Sequence, residues 1–376
     1  MANASGIIFS SLNKNTLSRL TANRTVAAIP FACRYRLIDF CLSNLVNSGI
    51  YDISIVANYN YRSLYEHIGS GKDWDLARRS GGVNLISPYQ TISDPSSAKM
   101  FSTRLEALRS ISEFLREMKN DHVVLMDSDT VLNVDLGAII DEHKASGAVI
   151  TVVTKETDES FSSKNPRMMI KTSDGYISDI AMSDKFDSDH RELSLGIFIL
   201  DKLTLLRIVE DATAHNNVSL TEFLMRSCKS NRYATYKYNG YCAVISSFLD
   251  YYKYSIELAT SRAAREALFE IKDRPILTKV HNSSPKLFKG EANIVRSILA
   301  DESSIEGSVI NSVIFRGVKI GRGSVVRNSV LFHGTYVGEA CSLDSIVTDK
   351  NVFIGDRTKL SGCHSLPFYI EKGRRV

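Results

Sequence analysis

Two aspartates separated by a single residue, Asp127 and Asp129, follow the apolar run from His122 to Met126. Carboxylates just past a buried strand can hold a divalent cation, because open α/β sheets bind ligands beyond the carboxyl ends of their strands. Mg²⁺ in particular is held by one or two carboxylates together with phosphate oxygens. Bases are scattered along the chain, and Lys372, Arg374 and Arg375 gather near its end. The net charge of +4 is too small and too dispersed for a nucleic-acid surface but suits anionic small ligands such as phosphate esters. The eight histidines show no HxH or HExxH spacing, which argues against a dedicated transition-metal site. Six cysteines occur without a CxxC pair, as expected for reduced, mostly buried thiols.

The elements that must position these groups alternate between strand and helix patterns. Ile7 to Phe9, Asp52 to Ala57, His122 to Met126 and Ala148 to Val153 read as strands. Arg36 to Val46 reads as a helix, and Leu105, Leu108, Ile111, Leu115 and Met118 recur at the spacing of one amphipathic helix. Alternating βαβ units predict a Rossmann-like, mostly parallel sheet with helices on both faces. A helical stretch from Phe248 to Ile271 closes this domain, expected to span residues 1–275, and a linker follows over 276–290.

Residues 291–376 follow a different rule. Ile320-Gly321, Val337-Gly338 and Ile354-Gly355 recur every seventeen residues, as do Asn311-Ser312-Val313 and Asn328-Ser329-Val330. Ile314, Ile320, Val326 and Phe332 are six apart. Hexapeptide steps with nearly eighteen residues per turn predict a left-handed parallel β-helix of triangular section. With 376 residues, two domains are also what a single-core limit predicts. No apolar run is long enough to span a membrane, and no signal-peptide pattern opens the chain, so a cytoplasmic protein is expected.

Several blocks resemble ADP-glucose pyrophosphorylase (glucose-1-phosphate adenylyltransferase). They are Arg34-Tyr35-Arg36-Leu37-Ile38-Asp39-Phe40, Asn47-Ser48-Gly49-Ile50, Ile68-Gly69-Ser70-Gly71 with Trp74-Asp75-Leu76, Ser194-Leu195-Gly196-Ile197, and Asp349-Lys350-Asn351-Val352. The resemblance spans nearly the whole chain. It implies the reaction of ATP with glucose 1-phosphate to give ADP-glucose and pyrophosphate, a tetrameric assembly, and control by metabolites.

The departures from that pattern are informative. The family's Gly-rich loop, LAGGxGxRLxPLT, is replaced by Phe9 to Leu17, with Leu12 at a glycine and Thr16 at the arginine. Glycines let backbone N–H groups approach phosphate oxygens with no Cβ in the way. The lysine of RAKP becomes Val26, in Arg24-Thr25-Val26-Ala27. A GTADA-like segment has no match around Phe101 to Ala107. Asp129 keeps the place of the first metal aspartate, with Asp135 six residues on, while the second metal aspartate is replaced by Val244. Asp129 is thus a weak residual metal position, and its structural alternative is a turn or helix cap. Arg34 takes the place of a lysine linked to activator binding.

These losses imply a regulatory subunit, nearest to the family's degenerate D-type partners, with little or no activity alone. It needs no cofactor itself, and Mg²⁺ is expected for its catalytic partner. The expected partners are that catalytic subunit, in a heterotetramer, and a phosphorylated effector held by Arg34, Lys372 and Arg374. Neither nucleic acid nor membrane is expected. One alternative is an active nucleotidyltransferase with a rebuilt site, in which Lys14, Arg19 or Arg24 supplies missing cations and Asp127 joins Asp129. A remote one is a hexapeptide acyltransferase with His333 as base.

Overall fold

A computed structural model describes residues 3–10, 12, 17–87, 101–214, 219–290 and 292–376. Its first strand, β1 (Ala4–Phe9), is buried throughout. Successive side chains of a strand point to opposite faces. Accordingly Ile7 and Phe9 enter one core cluster and Ala4 and Ile8 another, one on each side of the sheet. Both faces of β1 are therefore covered.

Around β1 lie β2 (Asp52–Val56), β3 (Gly82–Ile86), β4 (His122–Asp127), β5 (Ile150–Glu156), β6 (Ser162–Ser173), β7 (Tyr176–Lys185), β8 (Glu192–Asp201) and β9 (Tyr233–Lys237). They form a nine-stranded sheet in the order β3-β2-β1-β4-β8-β5-β9-β7-β6. The four strands from β3 to β4 are parallel. Beyond them β8 runs antiparallel to both β4 and β5, and the β6–β7 hairpin makes an antiparallel edge. The sheet is thus parallel over the half that ends in Asp127 and mixed beyond it. Helix Leu37–Asn47 covers one face, and Asp39 starts it by accepting the Arg36 backbone N–H at 3.0 Å.

Two stretches read as single helices are each split in two. Residues Arg104–Ser110 and Ser112–Glu117 are separate helices meeting at Ile111. There the Ser110 hydroxyl donates to the Ala107 carbonyl at 2.6 Å, competing with the helical ladder. Phe248–Thr260 and Arg262–Phe269 meet at Ser261, whose hydroxyl caps the second helix by accepting from Ala264 N–H at 3.2 Å.

The C-terminal domain is a parallel β-helix of three five-stranded faces. Its first strand, Leu287–Phe288, begins inside the stretch read as linker. Ile305, Ile320, Val337 and Ile354 stack in its core. The repeated Asn-Ser-Val marks one corner. Asn311 and Asn328 adopt left-handed φ of 51° and 45°, a conformation Asn tolerates better than most residues. Their side chains form a ladder, Asn311 to Asn328 and Asn328 to Asp344, each step 3.1 Å.

Candidate functional site

Where β4 ends, Asp127 and Asp129 are both buried. Arg104, the first residue of its helix, grips Asp127 with two N–H groups, Nε donating to Oδ1 at 2.8 Å and a terminal nitrogen to Oδ2. Its guanidinium also lies 5.1 Å from the centre of the Phe198 ring. Burial lowers the Arg104 pKa, but the charge and hydrogen bonds of Asp127, together with the Asp129 charge, outweigh it and raise the pKa. Burial pushes the Asp127 carboxyl up, Arg104 opposes that, and the Asp129 charge adds to the upward push. Gly196, at φ +71°, makes room for this pair, because a Cβ there would collide with the Asp127 carboxylate.

Asp129 faces a second arginine, with Arg167 Nη1 3.6 Å from its Oδ2. The Asp129 carbonyl accepts from the Ile245 N–H at 2.8 Å. This closes a two-stranded ribbon in which Val244 lies directly opposite Thr130. Position 244 therefore sits beside Asp129, where the resemblance expects the second metal carboxylate, but it carries an apolar side chain. Mg²⁺ requires an octahedron of oxygens at about 2.0–2.1 Å. With Asp127 and Asp129 each facing a guanidinium and valine at 244, these residues do not fit the ion. Asp135 is the helix cap, accepting from Ala138 N–H at 3.1 Å.

The phosphate-facing positions are likewise filled. Leu12 packs in the core with Phe9, Phe101 and Leu105. Val26 is buried with Leu17, Leu20 and Phe31. Thr16 and Lys14 lie outside the described residues. Beside Arg167 and Val244 runs a cavity of about 300 Å³, which Lys155, Ser246 and Asp250 also line. Lys155 there donates to the Gly240 carbonyl at 2.8 Å.

The cations read as replacements for the lost ones are committed elsewhere. Arg24 and Asp349 form an ion pair at 2.6 Å with both side chains 3% exposed. Arg24 also donates to the Leu20 carbonyl at 2.9 Å, and Tyr369 donates to Asp349 at 2.9 Å. This pair ties the two domains together, so Arg24 is not a cleft cation. Arg19 sits 5.3 Å from the centre of the Phe248 ring. Asp127 cannot join Asp129 on a metal while Arg104 holds it. His333 Nδ1 lies 2.8 Å from the Arg316 carbonyl, a contact that orients its ring at the domain junction.

A second cavity, also about 300 Å³, opens where the domains meet, lined among others by Arg34, Arg36, Lys279, His281, Arg316 and Lys350. Two successive left-handed residues, Ala32 at φ 45° and Cys33 at 63°, turn the chain to present Arg34. They stand where the family's GGKYRLIDF-like segment has glycines. Burial, and then the Arg36 and Arg24 charges, lower the Lys350 pKa to about 8. Burial lowers Arg36 to about 10 despite Asp39. Lys372 does not line the cavity, although its charge reaches Lys350. Arg374 is exposed and outside it, and its carbonyl accepts from the Phe353 N–H at 2.9 Å. Of the three effector candidates, the structure brings only Arg34 to this cavity. Sequence reading missed Arg104 and Arg167, which carry no local motif. Lys350 was visible only as part of the Asp349 to Val352 block.

A sheet ending in paired aspartates, joined to a hexapeptide β-helix, defines the nucleotidyltransferase class of two-domain chains. The nucleotidyl transferase family model matches residues 8–241, and the model of the GlmU-like C-terminal hexapeptide matches 283–363. The chain is 32% identical over 371 residues to the glycogen biosynthesis protein GlgD of Bacillus subtilis, covering 98% of this chain and 95% of that one. It is 34% identical over 327 residues to GlgD of Geobacillus stearothermophilus, 85% and 82% of the two chains. With the glucose-1-phosphate adenylyltransferase of Thermotoga maritima it shares 30% over 334 residues, 87% and 77%. The protein belongs to the ADP-glucose pyrophosphorylase family. Among its described residues, no helix is long and apolar enough to cross a membrane.

Proposed function

We propose that this chain is a regulatory subunit of glucose-1-phosphate adenylyltransferase in glycogen synthesis, with little or no turnover alone, working in a hetero-oligomer with a catalytic homologue. The observation that carries this reading is the neutralised cleft. Arg104 holds Asp127, Arg167 faces Asp129, and Val244 stands where a second metal carboxylate is needed. Nucleotidyl transfer depends on a divalent ion and positioned cations to offset developing charge, and removing one such stabiliser typically costs about 10²–10³ in rate. The junction supports the regulatory half of the proposal. Burial, with neighbouring cations adding to it, depresses Lys350 and Arg36, and a phosphorylated effector bound by Arg34, Arg36 and Lys350 offsets that cost.

The test is pyrophosphate release from ATP and glucose 1-phosphate with Mg²⁺, by this chain, by its catalytic homologue, and by the two mixed. The expected result is no turnover alone and a mixture that is faster, or more responsive to phosphorylated effectors, than the homologue by itself. Robust turnover by the chain alone overturns the proposal.

A further inference from the structure

At the opposite end of β4 from Asp127 lies a cluster that the nucleotidyltransferase reading does not use. His122 opens β4 and Asp201 closes β8, and the two are directly paired across the antiparallel ladder. Directly opposed residues project from the same face of a sheet. On that face lies helix Leu136–Ser146, which contributes the buried His143. The five residue steps of β4 from His122 to Asp127 put roughly 16 Å between this cluster and the cleft.

We propose that His122, His143 and Asp201 form a site for a borderline divalent transition metal, best suited to Zn²⁺. One donor atom from each residue lies within 4.8 Å of the other two. A tetrahedral ion with bonds of about 2.0–2.1 Å places its ligand atoms about 3.4 Å apart. His122 Nε2 and Asp201 Oδ1 are already 3.2 Å apart. The Asp201 side chain is 53% exposed, so it can rotate to close the remaining gap and lets an ion in from solvent.

The groups around the cluster are arranged to support this. His143 Nδ1 lies 2.8 Å from the Thr151 hydroxyl, which fixes the ring and leaves Nε2 to ligate. Such an outer hydrogen bond is the usual companion of a metal-bound histidine. Lys202, the cation next to Asp201 in sequence, does not compete for the carboxylate, because it donates to the carbonyls of Arg116 and Met118. Two imidazoles and one carboxylate suit Zn²⁺, Co²⁺ or Ni²⁺ better than Mg²⁺ or Ca²⁺, and waters complete the shell. The ligands come from β4, β8 and the covering helix, so the ion clips three elements that are distant in sequence. That is why no histidine spacing announced it.

The test uses the untagged full-length chain, in the native form and in a Cys363→Ser background that removes its exposed thiol. Zn²⁺ is titrated against a chromogenic chelator, and Co²⁺ is added separately to read the visible bands of tetrahedral coordination. The expected result is one Zn²⁺ per chain, retained in Cys363→Ser. Asp201→Asn and His122→Gln should each weaken binding about tenfold or more, and Thr151→Val about tenfold. The melting temperature should rise with Zn²⁺ in the native chain and not in Asp201→Asn. Asp201 is half-exposed, so its variant decides the matter even if a histidine variant misfolds. Zn²⁺ uptake that is absent, or equal in the native chain and Asp201→Asn, overturns the proposal.

Discussion

The cleft at the end of β4 and the cavity at the domain junction have opposite electrostatics. In the cleft each carboxylate faces a resident guanidinium, Asp127 with Arg104 and Asp129 with Arg167. At the junction the cations outnumber the two lining carboxylates, Glu66 and Asp301, and they lower one another's pKa. A site whose charges are internally matched has little to gain from an ionic ligand. A site with unmatched charge gains a great deal from one. Unmatched cationic charge thus lies at the seam between the domains and not at the end of β4.

That contrast can be attacked at four points. The largest effect is expected at the pair that builds the seam. Arg24→Met or Asp349→Leu leaves a buried charge unpaired and should cost about 3–5 kcal/mol, read by denaturant unfolding, whereas the double variant should recover most of the loss. If the single variants are neutral, the seam is not held as described.

Next comes Lys350. Its folded pKa of about 8 lies below the ordinary value of 10.5. The unfolded chain therefore binds more protons between those values, and stability rises with pH across that window. Lys350→Met should raise the melting temperature at pH 7. The gain should shrink as pH climbs from about 8 towards 10.5, and inorganic phosphate should raise the melting temperature of the native chain more than that of the variant. A pH-independent gain would mean that packing, not charge, is responsible.

The third point is the cleft. Arg104→Ala with Arg167→Ala and Val244→Asp frees two carboxylates and supplies a third. Mn²⁺, which favours oxygen ligands, should then bind there at least about tenfold more tightly than in the native chain, a difference of about 1.4 kcal/mol. Calorimetry or electron paramagnetic resonance reads it, and unchanged affinity would separate the arginines from the loss of the metal. The smallest effect concerns two thiols, one behind each region. Burial pushes Cys33 at the junction up to about 12, and it also pushes up Cys41, which lies beneath Asp127. Both should resist a thiol reagent in the native state, while exposed Cys363 reacts at once. Rapid labelling of Cys33 would show the seam opening in solution.

What could be read from the sequence was local or periodic. The β-helix announced itself where its coils repeat at seventeen residues, as from Val313 to Val330 to Val347. Its first coil, in which Asn293 pairs with Ser308 fifteen residues on, breaks that period, and its opening strand Leu287–Phe288 fell in the stretch read as linker. Strand and helix runs around the cleft were visible for the same reason, while the replacements at Val26 and Val244 showed only against the family pattern. The breaks at Ile111 and Ser261 were not, since apolar spacing continues across them and only serine hydrogen bonding reveals the stop. Arg104 and Arg167 had no signature because each meets its carboxylate through the tertiary fold, from a helix and from an edge strand. Arg24, a cleft cation only in the alternative reading of an active enzyme, gave no sign of its true pair for the same reason. Its partner Asp349 lies 325 residues away in the other domain.

The arginines in the cleft also bear on history. An aspartate restored at 244 alone would add an acidic group that no bound ion repays. A lysine restored at 26 alone would thrust an ammonium into the cluster of Leu17, Leu20 and Phe31. Stripping Arg104 alone would leave Asp127 buried and bare. Each single step towards a carboxylate-lined metal site would thus cost stability before an ion could bind, so the pairing works as a ratchet against stepwise rebuilding of that site.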